Sequence, residues 1–580
     1  MSRIAVKVSF RVICRITVSV VFLMALVYPA MLRSQSRTVG LFLNSSYVSE
    51  GYVLFAPFRH TETYLIDNEG RLIHSWASDF TPGSSAYLLE NGNLLRGANW
   101  KTNPKFSGGA GGRVEEFDWE GNLVWSFEYS GNTFQAHHDF EKLPNGNVLM
   151  IAWEVKPGDE AIASGRDPAL LPTGELWPDH IIEVRPSLPD GGEIVWKWHA
   201  WDHLIQDFDP TKSNYGNVSE HPELLDLNYV HPDYAGQSDW LHLNAIDYNA
   251  DLDQIIVSSP FLGEIWIIDH STTLDEARSH AGGKGGKGGD LLYRWGNPRA
   301  YGQGAGEDKQ LFFQHDAQWI EPGLRGAGNI LIFNNGADRP DASYSSIYEI
   351  ESPVRQDGSY EMAPNNPFGP EQSVWSYTAE HETEFYSPFI SGAQRLPGGN
   401  TLICSGMNGT FFEVTEPGET VWKYVNPVVD TGPLAWNDSI PPVSGFGTNL
   451  VFRANRYGPL FPGFAGKELI PGQPIEIGFP TGITAISNGV PAEFSLEQNY
   501  PNPFNGETVI EFRVTRPTAV HLAVHDMLGR EVAVLLNGRS LEAGTHIVEF
   551  EAGARINSGV YVYCLTTSEG IRVRKMLHLK

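Results

Sequence analysis

Short apolar runs separated by glycine-containing turns recur along most of the chain. The clearest form is a Leu-x-Asn-Gly-Asn or Leu-Pro-x-Gly-Asn turn followed by an apolar strand, as in Leu89–Leu95, Leu143–Leu149 and Leu396–Leu402. A fainter copy begins at Gly328. Asn-Gly pairs supply the positive φ that tight hairpins require. The pattern predicts antiparallel strands joined by short turns.

A second pattern closes each repeated unit: a strand that follows a turn and ends near a Trp or Tyr. Six segments share it: Gly70–Trp76, Gly121–Phe127, Gly192–Trp198, Gly289–Trp295, Ser373–Tyr377 and Gly418–Tyr424. Apolar strands are predicted before them: Thr63–Asp67, Val114–Asp118, His180–Val184, Glu264–Asp269, Ser346–Ile350 and Thr410–Val414. Together they predict an all-β, six-bladed β-propeller over residues 46–467. Asn449–Lys467 is expected to close the ring against the first unit.

The composition agrees with a turn-rich β protein. The chain of 580 residues contains 60 Gly, 12% aromatic residues and only 19% charged residues. Its net charge of −28 disfavours binding to nucleic acids or anionic lipid surfaces. Three cysteines, Cys14, Cys404 and Cys564, lie far apart without a Cys-x-x-Cys motif, so no disulfide framework is predicted.

The N-terminus has the pattern of a targeting segment. An apolar run, Ile16–Leu32, is followed by small polar residues up to Ser36. Basic residues precede the run: Arg3, Lys7, Arg11 and Arg15. The pattern predicts a cleaved signal peptide over residues 1–36 and no stable membrane insertion afterwards. The alternative is an uncleaved anchor, because the run is near the lower length limit for spanning a bilayer.

The chain changes character near its C-terminus. Residues 468–492 are predicted to be a linker, and alternating strands over residues 493–580 predict a small immunoglobulin-like sandwich. Four segments resemble the type IX secretion sorting domain: FSLEQNYPNPFN, VHDMLGREV, SGVYVY and VRKMLHLK. The resemblance implies export through the periplasm by the type IX machinery, to the cell surface or the medium. The alternative is a plain accessory sandwich.

Histidines occur at one recurring point of the repeated unit, between one unit's last strand and the next unit's first strand. The segments are Gln135–Phe140 (QAHHDF), Trp240–Asp247 (WLHLNAID) and Leu311–Trp319 (LFFQHDAQW). Because propeller loops meet near the axis, His138, His242 and His315 are predicted to share one site. His137 is the rival of His138, since the motif is doubled. His199 and His203 lie in an insertion and are predicted to be surface or lid residues.

The propeller segments resemble bacterial arylsulfotransferases over nearly all of Gly51–Lys467. The matching segments are WLHLNAIDYN, GEIWIIDHSTT, LLYRWGNP, QHDAQW, ISGAQRLPGGNTL and YGPLFPGFAGK. The resemblance implies ping-pong transfer of a sulfuryl group from an aryl sulfate donor to a phenolic acceptor. By motif, His315 resembles the nucleophile that becomes a sulfohistidine, and His242 and Asn244 resemble the active-site His-x-Asn pair. His138 resembles the histidine contributed by an earlier blade.

This chemistry requires a neutral imidazole whose second nitrogen is held by an acceptor, together with donors for the sulfuryl oxygens. The better-known branch of the family has an arginine where this chain has Pro260. Arg339 is the predicted replacement in substrate binding, with His137. The other candidates are Arg395, Arg453 and Arg456.

Other functions remain open at this stage. One is a non-catalytic, cell-surface propeller that binds a ligand or a protein. Another is a quinoprotein-like or metal-dependent oxidoreductase, since a histidine-rich centre can bind metal. No repeating carboxylate pattern accompanies the histidines, so no metal and no cofactor are predicted.

Overall fold

The computed structural model describes residues 37–579, except 101–104, 107, 110, 232–233, 364–365, 444–445, 478–483, 488–493, 500 and 553–555. The predicted signal peptide, residues 1–36, lies outside the described residues. The chain divides into two compact units, Met1–Ile477 and Gly478–Lys580. Within the described ranges, no helix has the length and apolar character needed to cross a membrane.

The first unit is all-β and, in its described part, contains six antiparallel sheets of four or five strands, numbered here along the chain. Sheet 1 contains Val451–Tyr457, Tyr52–Pro57, Glu62–Ile66 and Leu72–Ala77. Sheet 2 contains Pro82–Leu88, Leu94–Asn99, Gly112–Phe117 and Leu123–Glu128. Sheet 3 contains Phe134–Lys142, Val148–Glu154, Asp179–Pro186 and Gly192–His199.

The remaining sheets follow the same order, with one additional strand in the last. Sheet 4 contains Ala245–Asn249, Gln254–Ser259, Glu264–Asp269 and Tyr293–Trp295. Sheet 5 contains His315–Trp319, Ile330–Asn334, Ser346–Ile350 and Trp375–Tyr377. Sheet 6 contains Gly392–Arg395, Thr401–Ser405, Thr410–Val414, Thr420–Val425 and Gly40–Asn44. The predicted closing strands are confirmed, as is the pairing of Val451–Tyr457 with Tyr52–Pro57.

Shorter elements complete the first unit. The α-helix in its described part is Gly158–Ala163. The two-residue strand pairs are Lys156–Pro157 with Glu175–Leu176, Leu204–Ile205 with Leu225–Asp226, Val428–Val429 with Gly432–Pro433, and Pro442–Val443 with Phe446–Gly447. Among the described residues, the 3-10 helices include Pro168–Leu170, Ala200–Asp202, Val218–Glu220, Glu276–Arg278, Pro298–Tyr301, Gly306–Asp308, Glu382–Glu384, Gly406–Asn408 and Pro462–Phe464.

The tryptophans of the closing strands link each sheet to the next. In every sheet the indole N–H of one closing-strand Trp donates to a backbone carbonyl beside a turn of the following sheet. The pairs are Trp76 with Asp118, Trp125 with Gly191, Trp198 with Gly289, Trp295 with Pro370, Trp375 with Glu416 and Trp422 with Asn68. Burying the indole while satisfying its single donor explains why Trp recurs at this position.

The first strands of successive sheets are also connected, by side chains that bond backbone or side-chain groups of the neighbouring strand. The contacts are Leu88 N with Tyr457, Tyr87 with Asp139, Ile246 N with Asp139, Trp319 N with Asp247, Ala393 N with Asp316, and Arg456 N with Gln394. This series runs from sheet 1 to sheet 6 and returns to sheet 1. The histidine segments enter sheets 3, 4 and 5 along these strands.

The second unit contains two four-stranded antiparallel sheets around one apolar core, which includes Phe512 and Leu522. One sheet contains Thr484–Ser487, Gly544–Glu551, Glu507–Val514 and Ser495–Leu496. The other contains Glu531–Leu541, Thr518–His525, Gly559–Thr567 and Gly570–His578. Thr484–Ser487 falls within the stretch predicted to be a linker, and it is a strand paired with Gly544–Glu551.

Candidate functional site

Backbone strain marks the points where the inner strands begin. Residues other than Gly with positive φ cluster there: Ser84, His138, His242, Phe313, Asp316, Ile390 and Ser391. Each such conformation costs about 1–2 kcal/mol for a residue with a Cβ atom. Strained residues persist where the surrounding structure holds them, and they concentrate at functional sites. The strain therefore identifies this region independently of the histidine motif.

His138 and His242 are in direct contact. Their ring centroids lie 4.6 Å apart in an edge-to-face arrangement. Asp239 holds His242, because its Oδ2 bonds His242 Nδ1 while its Oδ1 accepts from the Trp153 indole. The ring of Phe261 stacks on the His242 imidazole with centroids 4.5 Å apart. His242 is thus fixed on one face by an aromatic ring and on one edge by a carboxylate.

His315 is held in one tautomer. Its Nδ1 lies 3.0 Å from the Phe313 carbonyl and 2.8 Å from Asn335 Oδ1. The Asn335 amide nitrogen donates to two backbone carbonyls, so its oxygen faces the imidazole. A carbonyl can only accept, so Nδ1 carries the proton and Nε2 keeps a lone pair. That lone pair accepts the Ile390 N–H at 3.2 Å.

The two histidines that flank Phe452 are both kept neutral. Ring centroids of His138 and His315 lie 6.0 and 6.2 Å from the Phe452 ring. Burial, assisted by the charges of His242 and Arg453, lowers the pKa of His315 to about 3. Burial and the neighbouring His242 likewise hold the pKa of His138 well below its usual range. Both imidazoles are therefore uncharged near neutral pH.

Asn244 connects the His242 segment to the His315 segment. Its amide nitrogen donates to the Gln314 carbonyl at 2.9 Å. Its Oδ1 is buried and has no hydrogen-bond partner among the described residues. An unpaired buried amide oxygen is costly, so the arrangement suits a group that brings a hydrogen-bond donor to Asn244.

Arg453 lies among the acidic residues that follow two of the histidines. Its guanidinium bonds Asp139 Oδ2 and the Tyr87 hydroxyl, both at 2.6 Å, and its Nε lies 2.9 Å from Asp316 Oδ1. Burial opposes the charge, yet Asp139 and Asp316 raise the pKa of Arg453 above its usual range. Burial raises the pKa of Asp316 to about 6 despite this guanidinium. Arg453 thus connects the strands of His138 and His315 to its own strand, Val451–Tyr457.

His137 is placed behind His138. Its ring stacks on Trp153 with centroids 3.9 Å apart, and its side chain has no exposed surface. Its Nδ1 lies 2.8 Å from His138 Nδ1, and its Nε2 lies 2.7 Å from Asp179 Oδ1. Asp179, His137 and His138 thus form a connected row that ends beside His242.

Arg339 lies against the ring of Phe312, and no contact with the three motif histidines is found for it among the described residues. Its guanidinium bonds the Tyr344 carbonyl, the Ser346 hydroxyl and the Tyr348 hydroxyl. The other two arginines considered from the sequence are engaged in buried ion pairs: Arg395 with Glu349 and Arg456 with Glu413.

Aromatic rings form a wall next to His242. Tyr234 stacks on Phe261 with centroids 4.4 Å apart, and the Phe313 ring lies 5.1 Å from Tyr234 and 6.0 Å from Phe261. Tyr234 belongs to an insertion between sheets 3 and 4. The wall gives the pocket a surface suited to a flat aromatic ring.

Glycines allow a loop to approach the histidines closely. Gly109 has a φ of +98°, and a Cβ atom there would lie 2.0 Å from the His138 ring. A Cβ atom at Gly108 would lie 3.8 Å from His242. The backbone of Gly109 also accepts the His138 N–H at 3.0 Å. Only glycine fits at Gly109, which keeps the His138 ring in place.

Acid is expected to destabilise the first unit through His315. The pKa of His315, about 3 when folded and about 6.5 when unfolded, means that its contribution is complete above pH 6.5 and is lost as pH falls. When the pH is lowered from about 7 to about 4.5, the unfolding free energy of both proteins should fall. The fall should be about 2 kcal/mol smaller for His315→Asn than for the unmodified chain. Urea denaturation followed by Trp fluorescence measures this, because every tryptophan precedes residue 478.

The control for that experiment is His221→Asn, which changes a half-exposed histidine paired with Glu223. Its pH dependence should match that of the unmodified chain. An equal loss of stability in His315→Asn and the unmodified chain would contradict a buried neutral His315.

Two groups of this site were not predicted from the sequence: Asn335 fixes the His315 tautomer, and Asp239 orients His242. Arg453 was a candidate for the missing arginine, but its contacts with Asp139 and Asp316 were not predicted. A weak signal exists for Asp139 and Asp316, since each directly follows a motif histidine. Nothing local marks Asn335 or Arg453, whose partners are remote in sequence.

Two family models match this chain. The model described as arylsulfotransferase (ASST) matches residues 54–430. The model described as a secretion system C-terminal sorting domain matches residues 498–578. Each match covers segments whose resemblance was noted in the sequence.

Curated relatives agree with the first match. The arylsulfate sulfotransferase AssT of Escherichia coli O6:H1 is 25% identical over 405 residues, covering 62% of this chain and 59% of that protein. The AssT of Lelliottia amnigena is 25% identical over 396 residues, with the same coverage. The chain thus spans 59% of the length of each relative. A solved protein of unknown function from Bacteroides caccae is 12% identical, covering 70% of this chain and 98% of that one, with a TM-score of 0.36, too low to support an argument.

Proposed function

Because the chain belongs to the arylsulfotransferase family, we propose that it transfers a sulfuryl group from an aryl sulfate to a phenol. The observation that carries this proposal is the tautomer of His315, which leaves a neutral lone pair on Nε2. The Phe452 ring lies near both His315 and His138, and His138 contacts His242. Sheets 1 to 6 would be the six blades of a propeller, with the site where their first strands begin. The second unit would be an immunoglobulin-like sandwich.

In the first half-reaction, His315 Nε2 attacks the sulfur of the donor. An N–S bond forms as the S–O(aryl) bond breaks, and the phenolate leaves with the electron pair. The Nδ1–H bonds to Phe313 and Asn335 stabilise the positive charge that develops on the imidazole. The Ile390 N–H must release Nε2 before the attack. The strained conformations of Ile390 and Ser391 mark this segment as the point of movement in the proposal.

The leaving phenolate needs a proton, which the row Asp179, His137 and His138 is arranged to supply. Burial raises the pKa of Asp179 well above its usual range and lowers that of His137. With Asp179 protonated, each group can donate to the next, so that His138 carries a proton at Nε2. After His138 has given its Nε2 proton to the phenolate, it can take a proton from His137, and His137 can take one from Asp179. In this proposal His137 acts as a relay instead of touching the substrate.

In the second half-reaction, the acceptor phenol replaces the departed phenol. Its proton passes to His138 or His242 as its oxygen attacks the sulfur, and the N–S bond breaks to restore neutral His315. The unpaired Asn244 Oδ1 is available to accept a hydrogen bond from the phenol hydroxyl. The acceptor thus uses the groups that served the donor, as a ping-pong reaction requires.

Pro260 occupies the position of the arginine known from other family members, so a different donor must hold the sulfuryl oxygens. Phe261, the next residue, stacks on His242 and extends the aromatic wall. Arg339 lies against Phe312, three positions before His315, and is the proposed substitute. Arg453 is already engaged with Asp139 and Asp316, so it supports the strands instead of the substrate.

The sorting domain at the C-terminus implies export to the cell surface or the medium. The type IX secretion machinery would be its partner during export. Aryl sulfates and phenols would then be encountered outside the cytoplasm.

The decisive experiment measures release of a coloured phenolate from an aryl sulfate, with and without a phenol acceptor. Release that depends on the acceptor, together with formation of the sulfated acceptor, would support the proposal. A folded protein that releases no phenolate across a panel of donors, yet binds them, would support the alternative of a non-catalytic binding protein.

Replacing Tyr234 tests the aromatic wall. Tyr234→Leu should raise the KM for the aryl sulfate about two- to tenfold, because an aromatic pair contributes about 0.5–1.5 kcal/mol. The first-turnover rate at saturating donor should change little, since the proposed role of Tyr234, which stacks on Phe261, is to bind the aryl ring and not to form or break a bond. The matched variant Tyr234→Phe keeps the ring and should retain the original KM. Equal KM values for both variants and the unmodified chain would exclude the wall from donor binding.

A further inference from the structure

Three side chains that commonly ligate metals converge outside the candidate site: His203, His280 and Asp290. One potential ligand atom of each lies within 4.8 Å of the other two. His203 Nδ1 and His280 Nδ1 lie 2.7 and 2.8 Å from the same oxygen, Asp290 Oδ1. We propose that these three residues bind one divalent ion of the zinc class.

The hydrogen bonds of His203 point to a cation at this place. Its Nε2 lies 3.0 Å from the Ala277 carbonyl, which can only accept, so Nε2 carries a proton. In the neutral imidazole, Nδ1 then directs a lone pair at the Asp290 carboxylate. Two acceptors at 2.7 Å repel each other unless a positive charge lies between them. A proton would satisfy that one contact, whereas a metal ion would satisfy His203, His280 and Asp290 together.

The surroundings of His203 have the features of a second shell around a metal ligand. Metal-binding histidines usually donate the second ring N–H to a carbonyl or carboxylate, as His203 does to Ala277. The Trp198 ring is parallel to the His203 ring, with centroids 5.7 Å apart. Gly289 approaches so closely that a Cβ atom there would lie 2.6 Å from His203 Nε2. The imidazole is therefore held in a fixed orientation.

The burial of His203 differs from the sequence-based prediction, and the three side chains limit which ions can bind. His203 was predicted to be a surface or lid residue, but its side chain is completely buried because Trp198 and the loop at Gly289 cover it. Asp290 is also buried, while the His280 side chain is 61% exposed. Two nitrogens and one carboxylate oxygen suit zinc and its neighbours, with water as the fourth ligand. Tetrahedral bonds of about 2.0–2.1 Å would separate the ligand atoms by roughly 3.4 Å, which requires movements below about 1 Å.

Such an ion would close a loop. His280 and Asp290 bracket the Gly/Lys-rich segment 281–289, and His203 belongs to the insertion between sheets 3 and 4. Binding would tie the two segments together. Lys284 lies within the loop with its side chain 63% exposed, so tryptic cleavage there reports on closure.

The test uses the full chain without an affinity tag, stripped of metal by a chelator and titrated with Zn²⁺ in a calorimeter. We expect one equivalent to bind. His280→Ala and Asp290→Asn should each weaken binding about 100-fold or more, since even outer-shell changes at zinc sites cost 10–100-fold. His280→Ala removes an exposed side chain, so the fold should be retained. His221→Ala, which removes another histidine paired with a carboxylate, should bind like the unmodified chain.

Proteolysis provides an independent measurement. Zn²⁺ should slow tryptic cleavage after Lys284 several-fold in the unmodified chain, and it should have no such effect in His280→Ala. The proposal is overturned if no equivalent of Zn²⁺ binds, or if binding survives both His280→Ala and Asp290→Asn unchanged. Protection of Lys284 that persists in His280→Ala would also contradict it.

Discussion

Replacing His315 with Asn should abolish sulfuryl transfer while leaving the fold intact. The Asn side-chain amide can still donate towards the Phe313 carbonyl and Asn335, which accept from His315 Nδ1. It lacks the Nε2 lone pair that would form the bond to sulfur. Loss of a covalent nucleophile lowers turnover by about 10⁴-fold or more. The measurement is release of coloured phenolate at saturating donor and acceptor.

A second readout separates the nucleophile from a merely structural residue. After incubation with donor alone, the unmodified chain should gain the mass of one SO₃ group on the peptide that contains His315. The His315→Asn chain should gain none, and His381→Asn, a change at an exposed histidine, should behave like the unmodified chain. Turnover by His315→Asn at the original rate would rule out His315 as the nucleophile.

The strands could be predicted because their signals are local and repeated. Strand Glu264–Asp269 begins and ends at the bounds that its apolar run predicted. The sequence places an aromatic residue near the end of each closing strand, and the structure shows that the Trp indole N–H groups donate to backbone carbonyls of the next sheet. Because the same residue pattern recurs in each unit, an error in one copy does not change the predicted order of strands.

The site was harder to predict, because its supporting contacts join remote segments. The motif placed His138, His242 and His315 at equivalent points, but it did not indicate which of His137 and His138 faces inward. Consecutive strand residues point to opposite sides, and the positive φ of His138 decides the local direction. Arg339 was named as the replacement although no motif aligned it to that role. Arg453, by contrast, reaches Asp139 through the pairing of the last strand with the first sheet.

The largest effect on stability is expected from Arg453→Met. The guanidinium is buried, with its side chain 5% exposed, and it contacts Asp139 and Asp316, which are equally buried. Removing one partner of a buried ion pair leaves an uncompensated charge and costs about 3–5 kcal/mol. Urea denaturation followed by Trp fluorescence reports on the first unit alone, since residues 478–580 contain no Trp. Arg185→Met, which removes an exposed ion pair with Glu193, should change the unfolding free energy by about 1 kcal/mol or less.

The raised pKa of Asp316 predicts how the destabilisation by Arg453→Met changes with pH. Burial already raises the pKa of Asp316 to about 6, and loss of the Arg453 charge should raise it further. A carboxyl whose pKa is higher in the folded than in the unfolded state stabilises the fold at low pH, and this contribution is lost as pH rises through the folded pKa. The destabilisation by Arg453→Met should therefore be smaller near pH 5 than near pH 8.

Adding Asp139→Asn and Asp316→Asn should restore part of the stability, because both uncompensated charges are then absent. A deficit that is independent of pH and unaffected by these two changes would mean that Arg453 acts through packing against Phe452 and not through its charge.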